Sequence, residues 1–182
     1  LGVRSGRNAD RLIFTSGGTE ANNLALAGLG QPHQRLLISA AEHPSVREFA
    51  EEQRRKGRPV DVLPLDRRGV VDAAQLEASL RTPSPVGLVS IQLGSNETGV
   101  IQPIAQLAEV CQAYGRAFHT DAVQAIGKID VDFQQLGVAA MTIAAHKFNG
   151  PVGIGALGVR HEEPLQRLLR GGFQKAGHRP GA

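Results

Sequence analysis

The stretch TIAAHKFNG, Thr142–Gly150, ends a run of small and apolar residues in a histidine and a lysine, with Gly150 and Pro151 just beyond. Lysine is among the residues least often buried. Lys147 is therefore either a surface charge past a strand end or a nitrogen placed to react. The rest of the chain decides between these.

Short apolar runs recur along the sequence. Leu12–Thr15, Arg35–Ser39, Val60–Leu65, Val86–Gln92, Ala117–Thr120, Ala140–Ala144 and Ile154–Val159 read as strands,. Between them lie amphipathic stretches. Ile104, Leu107, Ala108 and Cys111 fall at i, i+3, i+4 and i+7, and Ala73, Leu76 and Leu80 mark a second stripe,. Asp72 with Gln75 three residues on predicts a capping box for that second helix. Strands alternating with helices predict an α/β fold with a mostly parallel sheet covered on both faces. With no internal repeat and no linker, residues 1–182 read as one layered unit. In such sheets ligands collect at the carboxyl ends of the strands.

The bulk composition narrows the function. The chain has 182 residues, 41% hydrophobic and 20% charged, enough for a substantial core,. Its net charge of +3 is scattered. The densest basic cluster, Arg54–Lys56, follows two glutamates and reads as a solvated helix end, and aromatic residues are scarce, so nucleic-acid binding is not expected. No apolar run is long enough to span a bilayer. One cysteine and no signal-peptide pattern fit a reducing cytoplasm,. The sequence starts at Leu1 and stops in GHRPGA, so it is expected to be part of a longer chain.

The strand exits carry the chemistry. After the first strand, SGGTEANNLALAG offers Gly17 and Gly18 for a tight turn and Thr19 at a helix start, with Ala21, Leu24 and Ala25 on the buried face. A helix start suits a phosphate or carboxylate; a plain glycine turn with a threonine cap is the simpler alternative. After the second, His43 precedes a proline-started helix and is otherwise a loop residue. After the fourth, Asn96 and Glu97 stand between glycines, where an amide can bond a ligand or satisfy a turn. After the fifth, Asp121 and Gln124 share a face if the chain turns helical, and a carboxylate at a buried strand end needs a cationic partner. His146 and Lys147 close the series after the sixth. Each is weak alone; polar groups at five strand exits together are not.

A lysine that reacts as an amine must lose its proton far below the free value of about 10.4, which apolar surroundings and nearby positive charge can bring about. Such a lysine condenses with aldehydes. Pyridoxal phosphate combines an aldehyde, a phosphate, a ring oxygen and a pyridine nitrogen that works best protonated. Lys147, Asp121 and an anion site near Thr19 are the groups this cofactor demands. Two other motifs are set aside. Gly153–Gly158 fits G-x-G-x-x-G, but lacks the βαβ unit of a dinucleotide site and reads as a glycine-rich strand. No phosphate-binding G-x-x-x-x-G-K-[ST] occurs, and no metal-ligand set is assigned.

FTSGGTEANNLALAG, EHPSV, SNETGVIQPI, HTDAVQAIGKIDVD and AHKFNGPVGIGALGVR resemble, in order and spacing, the motifs of the class V aminotransferase group of pyridoxal-phosphate enzymes. Within it they are most similar to cysteine desulfurases and selenocysteine lyases. The resemblance covers practically the whole chain. It implies the fold-type I architecture, a mostly parallel seven-stranded sheet flanked by helices, in a homodimer. It implies a cytoplasmic enzyme that converts L-cysteine or selenocysteine to alanine, and passes the sulfur or selenium to an acceptor protein, as in iron–sulfur cluster assembly. By matching position, Lys147 would hold the cofactor, Asp121 would pair with its ring nitrogen, and His43 would stack on the ring and move protons. Asn96 and Gln124 would approach the phenolic oxygen; Gly18, Thr19 and His146 would contact the phosphate.

The chain departs from the family in three places. The desulfurases use a cysteine on a mobile downstream loop, whereas Cys111 lies on an apolar helix stripe and reads as packing. A small C-terminal domain with an arginine for the substrate carboxylate, and an N-terminal segment, are not expected within these residues. Finally, Ala144 and Ala182 stand where relatives commonly have serine and threonine hydroxyls for the phosphate. Residues 1–182 are therefore expected to be a fragment of a pyridoxal-phosphate-dependent cysteine desulfurase, inactive alone, with selenocysteine lyase or a truncated, silent cofactor-binding chain as alternatives.

Overall fold

The computed structural model describes residues 1–168; Ala182 lies outside them. Its strands are β1 (Arg11–Thr15), β2 (Arg35–Ser39), β3 (Val60–Leu63), β4 (Val86–Ser90), β5 (Ala117–Asp121), β6 (Ala140–Ala144) and β7 (Gly155–Val159). The helices are α1 (Gly18–Gly28), α2 (Pro44–Arg55), α3 (Ala73–Leu80), α4 (Ile104–Ala113) and α5 (Phe133–Leu136), with a 3₁₀ turn at Ala145–Phe148. All seven strands form one sheet in the order β1-β7-β6-β5-β4-β2-β3. The pairs joining β3, β2, β4, β5 and β6 are parallel, and β7 runs against both β6 and β1. The mostly parallel seven-stranded α/β fold is the observed one.

Packing follows from strand alternation. In β2, Leu37 points into one apolar cluster while Leu36 and Ile38 point into another. The first cluster collects Leu76 and Leu80 of α3 with Ile104, Leu107, Ala108 and Cys111 of α4. The second collects Ala21, Leu24 and Ala25 of α1 with Val46 and Ala50 of α2. Central strands β2, β4 and β6 are buried along their whole length, as both covered faces require,. Edge strands β1 and β3 show the half-buried pattern instead.

Strand β3 stops at Leu63, two residues before the predicted Leu65, because Pro64 has no N–H for the ladder,. Leu65 pairs instead in an isolated bridge with Val71. Helix α3 starts beyond Asp72 as predicted, but the Asp72 carboxylate accepts from Ala74 N at 2.8 Å, one residue short of the capping-box partner Gln75,. Helix α2 ends at Arg55 in a solvated cluster where Arg55 and Lys56 reach Glu52 at 2.8 and 3.2 Å. Thr19 is no cap: α1 begins beyond Gly17 without a side-chain cap.

The G-x-G-x-x-G run enters a strand as expected, with Gly153 in a turn and β7 starting at Gly155, one residue after the predicted Ile154; Gly155 itself has a steric reason. A Cβ on Gly155 would lie 2.6 Å from the Gly17 carbonyl carbon. That close approach presses the turn into α1 onto β7. The start of α1 thereby reaches across β7 to the end of β6, where a Cβ on Gly18 would lie 3.6 Å from Ala144 Cβ.

Candidate active site

Five connections leave the sheet at the carboxyl ends of the parallel strands, and they enclose a cavity of about 220 Å³. Gly18, Thr19, His43, Asn96, Asp121, Gln124, His146 and Lys147 all line it. The sequence-predicted set thus lies together, joined by Asn22, Ser45, Gln92, Val123 and Ala144. A larger groove of about 460 Å³, at the amino ends of β5 and β6 beside Arg116 and Arg160, holds none of the predicted residues.

Asp121 is the last residue of β5 and only 6% exposed. Its Oδ1 accepts from Val123 N at 2.9 Å and its Oδ2 from Asn22 Nδ2 at 2.6 Å. Burial nevertheless drives its pKa up, partly offset by these two bonds and by the charge of His43. A cation placed beside this carboxyl would favour its ionised form. Gln124 sits on the turn after β5, where its Oε1 accepts from Lys128 Nζ at 2.7 Å. Its amide N–H groups are the ones left for the cavity. Asn96 stands on the Gly94–Ile101 loop, which closes through Ser95 N to Val100 O at 3.0 Å.

His43 caps α2: Ser45 N donates to its Nδ1 at 3.1 Å, and Pro44 follows at the first helical position,. Gly18 forms the opposite wall. A Cβ there would come within 2.9 Å of Val123 Cγ2, so glycine lets the first turn of α1 close on the turn after β5. The backbone N–H groups of that first turn are donors that an anion in the cavity could use, and Thr19 lines the same wall,. Ala144 supplies no hydroxyl at this wall.

Lys147 and His146 ride the 3₁₀ turn after β6, which ends at Asn149 in the left-handed region (φ 64°) and closes through Gly150 N to Ala145 O. Both are exposed at the cavity mouth. The apolar surroundings anticipated for the lysine stop at Ala144, because the turn lifts Lys147 clear of the sheet. Cys111 is fully buried on α4, and burial pushes its thiol up to about 12. It is core, not nucleophile.

Glu42 was not legible as part of the site. It is 2% exposed, and its Oε1 accepts from Ser39 Oγ at 2.5 Å and Gln92 N at 2.8 Å. Its Oε2 has no partner among the described residues. Burial, with Asp121 nearby, raises its pKa from 4.5 to about 8. Between those values the folded chain holds a proton that the unfolded chain releases, so stability falls as pH rises across the window. The total is on the order of a few kcal/mol. Buried His119, held between Ser90 Oγ and Thr142 Oγ1, acts in the opposite sense: its pKa drops from 6.5 to about 3, so it costs stability as pH falls through that range. Glu42→Gln is expected to gain stability over the parent progressively from pH 4.5 to 8. Denaturant unfolding at several pH values checks this; a constant difference would refute it. Asp121, also raised, leaves a residual slope in both proteins.

Known proteins share this sequence pattern and fold. The chain is 41% identical over 180 residues to the cysteine desulfurase IscS of Dictyoglomus turgidum, a match covering 97% of this chain and 45% of that protein. The solved NifS-like protein of Rickettsia africae superimposes with a TM-score of 0.86 at 32% identity, over 94% of this chain and 46% of that one. A structure described as SspA in complex with cysteine gives 0.87 at 35%, over 93% and 50%. The chain thus spans about half the length of the relatives it matches. Among the described residues no helix is long and apolar enough to cross a membrane. The pattern of the Aminotransferase class-V family matches residues 3–178, through every strand and every wall of the cavity, and the chain belongs to that family.

Proposed function

We propose that residues 1–182 form the cofactor-binding part of a pyridoxal-phosphate-dependent cysteine desulfurase. The observation that carries this reading is the convergence of a buried carboxyl, a histidine, two amides, a helix start and a lysine on one cavity. The residues fit the group. Asp121, raised by burial, gains a cation in the ring N–H, and the glycine-lined start of α1 gives the phosphate a cradle,.

When bound, pyridoxal phosphate supplies an aldehyde that condenses with amines and a ring that withdraws electrons from the substrate's Cα. Asp121 holds the ring nitrogen protonated. Lys147 would provide the amine for covalent attachment, and its exposure at the mouth keeps it within reach of solvent and an incoming amino acid. His43 covers the ring and exchanges protons beside it. Gln124 and Asn96 donate to the phenolic oxygen. Gly18, Thr19 and His146 hold the phosphate. The departing sulfur needs an accessible thiol; with Cys111 buried, that thiol belongs outside these residues, on the same protein or an acceptor. The assembly is a cytoplasmic homodimer in this reading.

A second reading has one observation behind it. Ala144 lines the cavity without a hydroxyl, and no thiol among the described residues is accessible, which suits a selenocysteine lyase. Alanine formed from L-cysteine and from L-selenocysteine, with pyridoxal phosphate added to the protein bearing this sequence, separates the cases. Alanine from cysteine is expected. Alanine only from selenocysteine selects the second reading, and bound cofactor without alanine makes the chain a silent binder. Failure to bind pyridoxal phosphate overturns all three.

A further inference from the structure

His43 is held from behind by a hydrogen-bonded chain whose direction is fixed at both ends. At one end, Asn22 Nδ2 donates to the Asp121 carboxyl at 2.6 Å. The same amide nitrogen donates its second hydrogen to Ser45 Oγ at 2.9 Å. That hydroxyl lies 2.8 Å from His43 Nδ1 and is free to donate to it,. At the other end, Ser45 N also donates to Nδ1 at 3.1 Å, and a backbone amide can only donate,. Turning the imidazole over would set a carbon against both donors. Turning the Asn22 amide would set its oxygen against a carboxyl oxygen. Asn22 is 1% exposed, so water does not substitute for these partners. Nε2 of His43, by contrast, has no partner among the described residues, and the ring lines the cavity.

We propose that Asn22 and Ser45 are positioning residues: they keep His43 Nδ1 a permanent acceptor, so that Nε2 is the only ring nitrogen that trades protons with an occupant of the cavity. Two donors converge on Nδ1, so protonating it leaves the Ser45 N–H without its acceptor and forces the Ser45 hydroxyl to turn its hydrogen elsewhere,. The same chain ties the histidine to the carboxyl that faces the cavity from β5. Its catalytic meaning rests on the function proposed above, but the tautomer itself does not depend on any cofactor.

The test is nitrogen NMR of the protein labelled with ¹⁵N-histidine, without cofactor, near pH 9, well above the usual imidazole range of about 6.5. His43→Gln identifies the signal among the six histidines. The Nε2–H tautomer is expected to dominate by at least about tenfold. Ser45→Ala, which keeps only the backbone donor, is expected to lower that ratio roughly fivefold, one hydrogen bond's worth. Ser45→Thr is expected to restore it. A dominant Nδ1–H form, or a ratio that Ser45→Ala leaves unchanged, overturns the proposal. Because the readout needs no pyridoxal phosphate, a failure here is distinct from a failure of the cofactor reading. In the loaded enzyme, Ser45→Ala is expected to lower kcat and leave KM near its parent value.

Discussion

Lys147→Ala is expected to lower turnover by at least roughly 10³-fold and to abolish covalent cofactor attachment, since loss of a covalent nucleophile is among the costliest single changes an enzyme can suffer. The fold should survive it. Lys147 stands exposed on the 3₁₀ turn after β6. That turn is closed by backbone bonds and by Asn149 in the left-handed region, not by the lysine side chain. Unfolding midpoints close to the parent, together with lost turnover, would separate chemistry from stability. Retained turnover would remove Lys147 from the mechanism.

Asp121→Asn is the second large effect, expected to cut kcat about 10²–10³-fold while the protein still takes up pyridoxal phosphate. Removing one partner of a buried ion pair costs roughly 3–5 kcal/mol. Here the loss falls on the electron-withdrawing state of the ring. The substitution is tolerable locally: Oδ1 can still accept from Val123 N. The new amide meets Asn22 Nδ2, however, and Asn22 must turn to offer its Oδ1, which is buried and unpartnered in the parent. That rotation withdraws the donor from Ser45. The variant therefore disturbs His43 as well, and kcat should fall more than cofactor affinity. Equal losses in both would contradict the assigned role of Asp121.

Much of this architecture was legible before the structure. The bounds of β2 and β6 follow from uninterrupted apolar runs, because strands covered on both faces bury every side chain,. The strand-end rule placed the cavity-lining residues without any contact information. The direction of β7 was not drawn out, although a signal existed. Only residues 145–154 separate β6 from β7, too few for a parallel crossover of a dozen or more, so an antiparallel return was forced,.

The inner layer of the site was hidden for a different reason. Asn22 reads as one more polar residue of a helix whose apolar face already seemed assigned to Ala21, Leu24 and Ala25. It is buried because α1 packs against α2 as well as against the sheet, so almost no side of the helix faces water. Glu42 reads as solvated, as glutamate usually is. It turns inward because Ser39 Oγ and Gln92 N supply donors that only the folded sheet brings together. Ser45 looks like a residue of the α2 start, and only the tertiary contact with Asn22 gives its hydroxyl a direction. Residues that act through a neighbour leave no pattern of their own in the sequence.

One lysine carries the proposed chemistry. The direct measurement is borohydride reduction of the protein incubated with pyridoxal phosphate, followed by peptide mass mapping of the trapped residue. The predicted result is a phosphopyridoxyl group on Lys147, with Lys56, Lys128 and Lys175 unmodified. Modification of another lysine with Lys147 untouched, or no trapped cofactor, would contradict the account.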